Sequence, residues 1–117
     1  MPRRKIKPDA GHAALTRVID GEAQDADLAT ACRYLLEELA ERAPGNSVEV
    51  RVPPFGATQC IEGPRHTRGT PPNTIELDPE TWVALATGKI SWSQALADSR
   101  IAASGTRADI SEHLPLI

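Results

Sequence analysis

The segment richest in chemically active side chains is a short basic stretch in the second half of the chain. It reads Arg65-His66-Thr67-Arg68-Gly69-Thr70. Two guanidinium groups, an imidazole and two hydroxyls can bind a phosphate or a carboxylate, and the glycine lets the backbone curl around such a group. The stretch therefore predicts a polar anchor, formed by Arg65, His66 and Arg68, for the anionic end of a small molecule.

The same side chains also allow a purely structural interpretation. The two arginines of the stretch could pair with the surface carboxylates of Glu62 and Glu76, since no glycine-rich phosphate fingerprint is present. His66 would then be a solvated loop residue. Arg107 presents a similar choice, because it could contact a ligand or could form a local cap and ion pair with Asp109 in the first turn of a helix.

Catalysis has little support among the remaining reactive side chains. No serine stands in a G-x-S-x-G turn, and His12 and His113 lie far from each other along the chain. A nucleophile–base pair of Cys60 and His66 is conceivable, but Cys60 lacks a local catalytic signature. No spacing of histidines, cysteines or acids matches a zinc or EF-hand motif. We therefore expect a protein that is not an enzyme and that needs no metal or other cofactor.

Composition and charge indicate a single domain over residues 9–117, after a disordered basic tail over residues 1–8. The 117 residues are 40% apolar and 25% charged, as in ordinary globular proteins. A net charge of −3 argues against nucleic acid as a partner. No apolar run approaches the ~20 residues that span a bilayer, so we expect no membrane insertion. Because no signal-peptide core follows the basic start and the two cysteines form no redox motif, we expect a cytoplasmic protein.

Hydrophobic periodicity predicts two helices and then a group of strands. The first helix spans residues 9–19, and the second spans residues 27–43 with an apolar stripe that includes Leu35, Leu36 and Leu39. Alternating valines predict a strand at residues 48–52. Residues 57–62 can return as its antiparallel partner, and residues 74–77 resume the alternation as a third strand.

Helix-start and helix-stop signals organise the last third of the chain. Asp78 is an N-cap before a proline, and Gly88 supplies a left-handed end. Ser91 with Gln94 makes a capping box for a second short helix, which ends near residue 98. A fourth strand follows at residues 101–104. Thr106 then caps a final helix that contains Ala108, Ile110 and Leu114, and the whole order, α-α-β-β-β-α-α-β-α, is typical of an α+β fold.

Three stretches of this last third resemble the closing half of the sterol carrier protein 2-like superfamily, in particular its small bacterial, actinobacterial-type members. They are residues 78–88, residues 90–96 and residues 101–109, the last ending in Gly105-Thr106-Arg107-Ala108-Asp109. The proline-rich stretches 52–56 and 63–73 are also similar to that bacterial group. The resemblance implies a mixed sheet of about four to five strands covered on one face by helices, with an apolar cavity between the layers.

The resemblance also implies which side chains line the cavity. They are Leu35, Leu36, Leu39, Val50, Trp82, Leu85, Trp92, Leu96, Ile110 and Leu114. Indoles and leucines at helical spacing are more often ordinary core, and it is the resemblance, not the spacing, that favours a cavity. The polar anchor at the mouth of the cavity would comprise Arg65, His66, Arg68 and Arg107.

Two functions of different classes follow. The first is non-catalytic binding or transport of a hydrophobic or amphipathic, lipid-like small molecule in the cavity between helices and sheet. The second is a protein-interaction or regulatory module on the same fold, whose cavity is filled by its own side chains. In that case the loop over residues 53–73 would dock a protein partner.

Overall fold

The computed structural model describes residues 5–63 and 71–117, which form a four-stranded sheet with helices packed on one face. The elements are α1 (Pro8–Ile19), α2 (Asp25–Arg42), β1 (Val48–Val52), β2 (Gly56–Cys60), β3 (Asn73–Leu77), α3 (Pro79–Ala86), α4 (Trp92–Ala97), β4 (Ile101–Ser104) and a 3-10 helix (Ser111–His113). This confirms the predicted α+β fold with a mixed sheet covered on one face.

The sheet has the strand order β2-β1-β3-β4, with β1 antiparallel to β2 and parallel to β3. β4 closes the other edge antiparallel to β3. Side chains alternate between the two faces of a strand, so the three valines of β1 all point to the helices, where they are fully buried. Glu49 and Arg51 point to the opposite, polar face and are partly exposed.

Helix α2 covers the apolar face of the sheet and is itself covered by α1. Leu35 and Leu39 of α2 are fully buried in the resulting core. The two helices come very close at Gly11, because a Cβ there would lie 2.4 Å from the ring of Tyr34. The hydroxyl of Tyr34 is 2.8 Å from Nε2 of His12, which fixes the two helices at the same point.

The indole of Trp82 connects α3 to α2. Its Nε1 donates a hydrogen bond of 3.1 Å to the backbone carbonyl of Cys32, and the side chain is completely buried. A buried indole with its N–H paired contributes a large apolar surface without leaving an unsatisfied polar atom. Trp82 is therefore a central residue of the helical layer.

The local signals of the last third act as the sequence predicts. The carboxylate of Asp78 accepts a hydrogen bond from the backbone N–H of Thr81 at 3.1 Å. Ser91 accepts one from the N–H of Gln94, also at 3.1 Å, and Gly88 has a φ of +79°. Helix α2 begins at Asp25, two residues before the predicted start, because Gln24 and Asp27 cap each other's backbone there.

The predicted final helix, with Thr106 as its cap and Ala108, Ile110 and Leu114 on its faces, is wrong. The chain turns after β4 instead, because Gly105 has a φ of +106° and the N–H of Arg107 donates to the side-chain oxygen of Asn73 at 2.9 Å. The following 3-10 helix has only three residues. Leu114 precedes a proline, which disfavours helical backbone, and it is extended.

The chain before α1 lies against α2. The backbone N–H groups of Lys5 and Ile6 donate to the carboxylate of Glu37 at 2.8 and 3.1 Å. Residues 1–4 of the predicted basic tail lie outside the described residues.

Two of the four glycines with positive φ in the described part of the chain, Gly21 and Gly105, provide a matched test of the close contact between Gly105 and Asn73. A Cβ at Gly105 would lie 2.4 Å from the side-chain oxygen of Asn73, whereas a Cβ at Gly21 would have no neighbour within 4 Å. We expect Gly21→Ala to lower the free energy of unfolding by about 1 kcal/mol through backbone strain alone. Gly105→Ala should lose roughly 1–3 kcal/mol more through the clash. Urea denaturation followed by circular dichroism measures both, and equal losses would contradict the close approach.

Candidate functional site

The layer between the helices and the sheet is filled by side chains. Five of the ten predicted cavity residues are completely buried in it: Leu35, Leu39, Val50, Trp82 and Ile110. A side chain with no accessible surface touches neither bulk water nor an internal void of water size. These five residues therefore form packed core in the structure.

A surface groove lies at the edge of that core, between the end of α3 and the start of α4. Its volume is about 490 Å³, and it is lined by Leu85, Gly88, Ile90, Ser91, Trp92, Ser93, Ser111, Leu114 and Pro115. We call it the α3–α4 groove. It brings together three of the predicted cavity residues, Leu85, Trp92 and Leu114. Apolar side chains thus meet hydroxyl groups in a cleft that is open to solvent.

One wall of the α3–α4 groove is the segment over residues 111–115, and hydrogen bonds just beyond it hold this wall in place. The N–H groups of Leu116 and Ile117 both donate to the carbonyl of Ala86, at 2.8 and 3.1 Å, at the end of α3. Leu116 is 1% exposed, so its side chain anchors the wall in the core. Trp92, which also lines the groove, is 8% exposed.

The two remaining predicted cavity residues lie elsewhere. Leu36 lines a second groove of about 410 Å³, between α2, the chain before α1 and β2, together with Phe55 and Ile6. Leu96 is 44% exposed on the surface of α4 and lines neither groove. The structure therefore does not gather the ten residues around one space.

Arg107 lies in a small pocket next to the α3–α4 groove. This pocket holds about 300 Å³ and is lined by Ser47, Ile61, Arg107, Asp109, Ser111 and Glu112, so it shares Ser111 with the groove. The carboxylate of Asp109 accepts a hydrogen bond from the N–H of Ser111, the first residue of the 3-10 helix, at 2.7 Å. The helix in which Arg107 and Asp109 were expected to pair does not form.

A buried polar cluster supports this pocket, and no local sequence pattern indicates it. The side chain of Asn73 is 3% exposed and donates to the carbonyl of Ser47 at 2.9 Å. The hydroxyl of Ser47 donates to the carbonyl of Ile61 at 2.6 Å. Ile61 has a φ of +62°, which is strained for a β-branched residue and is held by these bonds. The partners lie 14 and 26 residues apart, so no local pattern could have marked them.

A second polar group, which was not predicted from the sequence, connects the start of α3 to the residue before β4. The buried hydroxyl of Thr81 donates to the carboxylate of Asp78 and accepts from Nε of Arg100 at 3.0 Å. Burial by itself would raise the pKa of Asp78, but the hydrogen bonds from Thr81 and the charge of Arg100 outweigh it and hold that pKa below its ordinary value. This group has a structural role, since it closes the N-terminus of α3.

The predicted anchor residues Arg65, His66 and Arg68 lie outside the described residues. Their role remains a prediction from the sequence. Gly63, the last described residue before them, lies close to Ser47, and a Cβ at Gly63 would be 3.6 Å from the guanidinium of Arg107.

Neither cysteine is an activated nucleophile. Burial raises the pKa of Cys60 to about 12. Burial together with the nearby charge of Asp78 raises the pKa of Cys32 to about 12 as well. The thiolate, which is the reactive form, is therefore scarce at neutral pH.

The histidines and acids of the described residues offer no metal centre. Nε2 of His12 contacts the hydroxyl of Tyr34, and Nε2 of His113 lies 3.4 Å from the carboxylate of Glu112. Within residues 5–63 and 71–117, no three histidine, cysteine or acidic side chains converge as metal ligands would. In the same part of the chain, no helix combines the length and the apolar character needed to cross a membrane.

Comparison with protein families adds an independent finding. A family model described as "Bacterial SCP ortholog" matches residues 24–116. The match begins at the cap of α2 and includes all four strands of the sheet, the α3–α4 groove and the pocket at Arg107. A search of curated proteins finds no match.

The burial of both cysteines can be tested by their reactivity towards a thiol reagent. We expect a thiol reagent at pH 8 to leave Cys32 and Cys60 unmodified in the folded protein and to modify both in guanidinium, as counted by mass spectrometry. The raised pKa values also stabilise the folded state below the ordinary thiol pKa of 9, and this contribution should disappear as the pH rises from about 9 towards 12.

The control is the double variant Cys32→Ala/Cys60→Ala, compared with the wild type by denaturation at pH 8 and pH 10.5. The wild type should lose more stability than the variant over this interval, because only its unfolded state can release thiol protons there. Rapid modification of either cysteine in the folded protein would contradict the packed interior.

Proposed function

This chain belongs to the bacterial family of sterol carrier protein (SCP) orthologs, and we propose that it binds and carries a hydrophobic or amphipathic, lipid-like small molecule. The family match over residues 24–116 supports a carrier role at this general level. The binding would take place without chemical change to the ligand.

The observation that carries the proposal is the α3–α4 groove. Its volume of about 490 Å³ lies in the range of small-molecule sites, roughly 300–1,000 Å³. Leu85, Ile90, Trp92 and Leu114 offer an apolar surface, and each Å² of apolar ligand surface removed from water there would contribute about 25 cal/mol. Ligand affinity would come mainly from this burial.

The chemistry of the described residues supports a carrier that is not an enzyme. Both thiols have raised pKa values, and the two described histidines each contact a neighbour within their own part of the structure. Two free, buried cysteines also suit a reducing compartment, so a cytoplasmic location is part of the proposal.

The packed layer between helices and sheet favours the second candidate, an interaction or regulatory module. With Leu35, Leu39, Val50 and Trp82 completely buried, the space that would hold a ligand in the interior is occupied by the protein itself. A protein partner would then bind through the loop over residues 53–73. The arginines at 65 and 68, together with His66, stay predicted contacts for either an anionic ligand or such a partner.

The two tryptophans allow one experiment to locate the ligand. Trp82 is in the packed layer and Trp92 is in the α3–α4 groove, and the chain has no other tryptophan. In protein labelled with 5-fluorotryptophan, titration with dodecanol should shift the ¹⁹F resonance of Trp92 saturably and leave that of Trp82 almost unchanged. The variant Trp92→Phe assigns the two resonances.

The competing outcomes are separable. A shift of Trp82 larger than that of Trp92 would mean that the ligand enters the interior and that the groove is not the site. If neither resonance moves with dodecanol, laurate or a phospholipid, the carrier proposal fails and the interaction module gains. Replacement of Leu96, which is exposed on α4 outside the groove, by alanine should leave the titration unchanged.

A further inference from the structure

We infer that the α3–α4 groove selects a neutral amphiphile, one with a hydroxyl or other uncharged polar head, over an anionic one of the same chain length. The inference rests on the proposed carrier function and names the class of ligand for that same groove.

The lining of the groove contains hydroxyl groups and no charge among the described residues. Ser91, Ser93 and Ser111 supply the polar side chains, and the oxygens of Ser91 and Ser93 are 3.3 Å apart. A hydroxyl both donates and accepts, so serines can satisfy an alcohol or an ester without a counter-ion. A carboxylate or phosphate leaving water here would find no cation in the lining.

The charges that flank the groove give an anion no surplus of cations. Lys89 is an exposed cation next to two lining residues in the sequence. Beyond Ser111, the small pocket holds one cation, Arg107, against two carboxylates, Asp109 and Glu112. Asp109 is fixed at the edge of the groove, because its carboxylate accepts the hydrogen bond from the N–H of Ser111. Together with Lys89 these three side chains carry no net charge, and the sequence as a whole carries −3.

The amide groups at the start of α4 do not reverse this balance. α4 has six residues, and the N–H of Gln94 is already paired with the hydroxyl of Ser91. The polar end of the groove is thus a set of hydroxyls whose flanking charges cancel, which fits an uncharged head group.

A head-group comparison on the wild-type protein tests the inference. Dodecanol and laurate have the same chain length, and laurate is ionised at pH 7.5. With the ¹⁹F resonance of Trp92 as the readout, we expect dodecanol to bind about tenfold or more tightly, because the carboxylate would lose hydration without gaining a partner. Equal or tighter binding of laurate would overturn the inference but leave the carrier function intact, whereas no binding of either probe would refute the carrier function itself.

A variant with an added cation should shift the head-group preference of the groove towards the anionic probe, and a second variant serves as its control. Ser93→Lys places a cation in the groove, and Gln94→Lys adds the same charge to the next residue of the same helix outside the lining. We expect Ser93→Lys to raise the affinity for laurate several-fold relative to that for dodecanol, and Gln94→Lys to leave this ratio as in the wild type. If Ser93→Lys leaves the ratio of laurate affinity to dodecanol affinity as in the wild type, the head group does not lie at the serines and the inference is wrong.

Discussion

Only one face of the β2-β1-β3-β4 sheet is apolar, so the helices must cover that face and no other. The valines of β1 and Ile75 of β3 form the centre of this face. α2 places Leu35 and Leu39 over it, and α3 joins α2 through the indole of Trp82. The remaining elements are arranged by this layer, since α1 has only the outer side of α2 to cover, and α4 and the chain end pack beside α3.

Because the helical layer is tightly packed against the sheet, space for a small molecule is found at the edge of the layer. The α3–α4 groove lies where the cover is incomplete, between the end of one short helix, the start of another and the segment over residues 111–115. The groove and the core share Leu85, so the apolar surface of the groove is an extension of the core surface. The same sequence features can therefore serve stability and binding, which explains why residue type alone could not separate the two.

Where a signal lies within a few residues of the element that it specifies, it could be found in the sequence. Asp78, Ser91 and Gly88 end or begin helices through contacts with neighbours in the chain, and the alternating valines identify β1 with its buried face. The final helix was predicted wrongly because the turn at Arg107 depends on Asn73, 34 residues earlier.

Whether a candidate site residue is buried also depends on residues that are far from it in the sequence. Leu35 and Leu114 are both leucines on predicted helices, yet one is completely buried and the other borders a groove. The family resemblance implied which residues line a space between the layers. It could not say how far the side chains fill that space, because packing is a property of the whole set.

The strand order has a consequence for local stability. β1 has hydrogen-bonded neighbours on both sides and helices above it, so its amide protons are protected by the most cooperative part of the fold. The walls of the groove are a six-residue helix and a three-residue 3-10 helix, neither of which forms part of the sheet. Hydrogen exchange would therefore proceed first around the groove and last in β1. A ligand of the proposed kind would then enter or leave the groove at a rate independent of global unfolding.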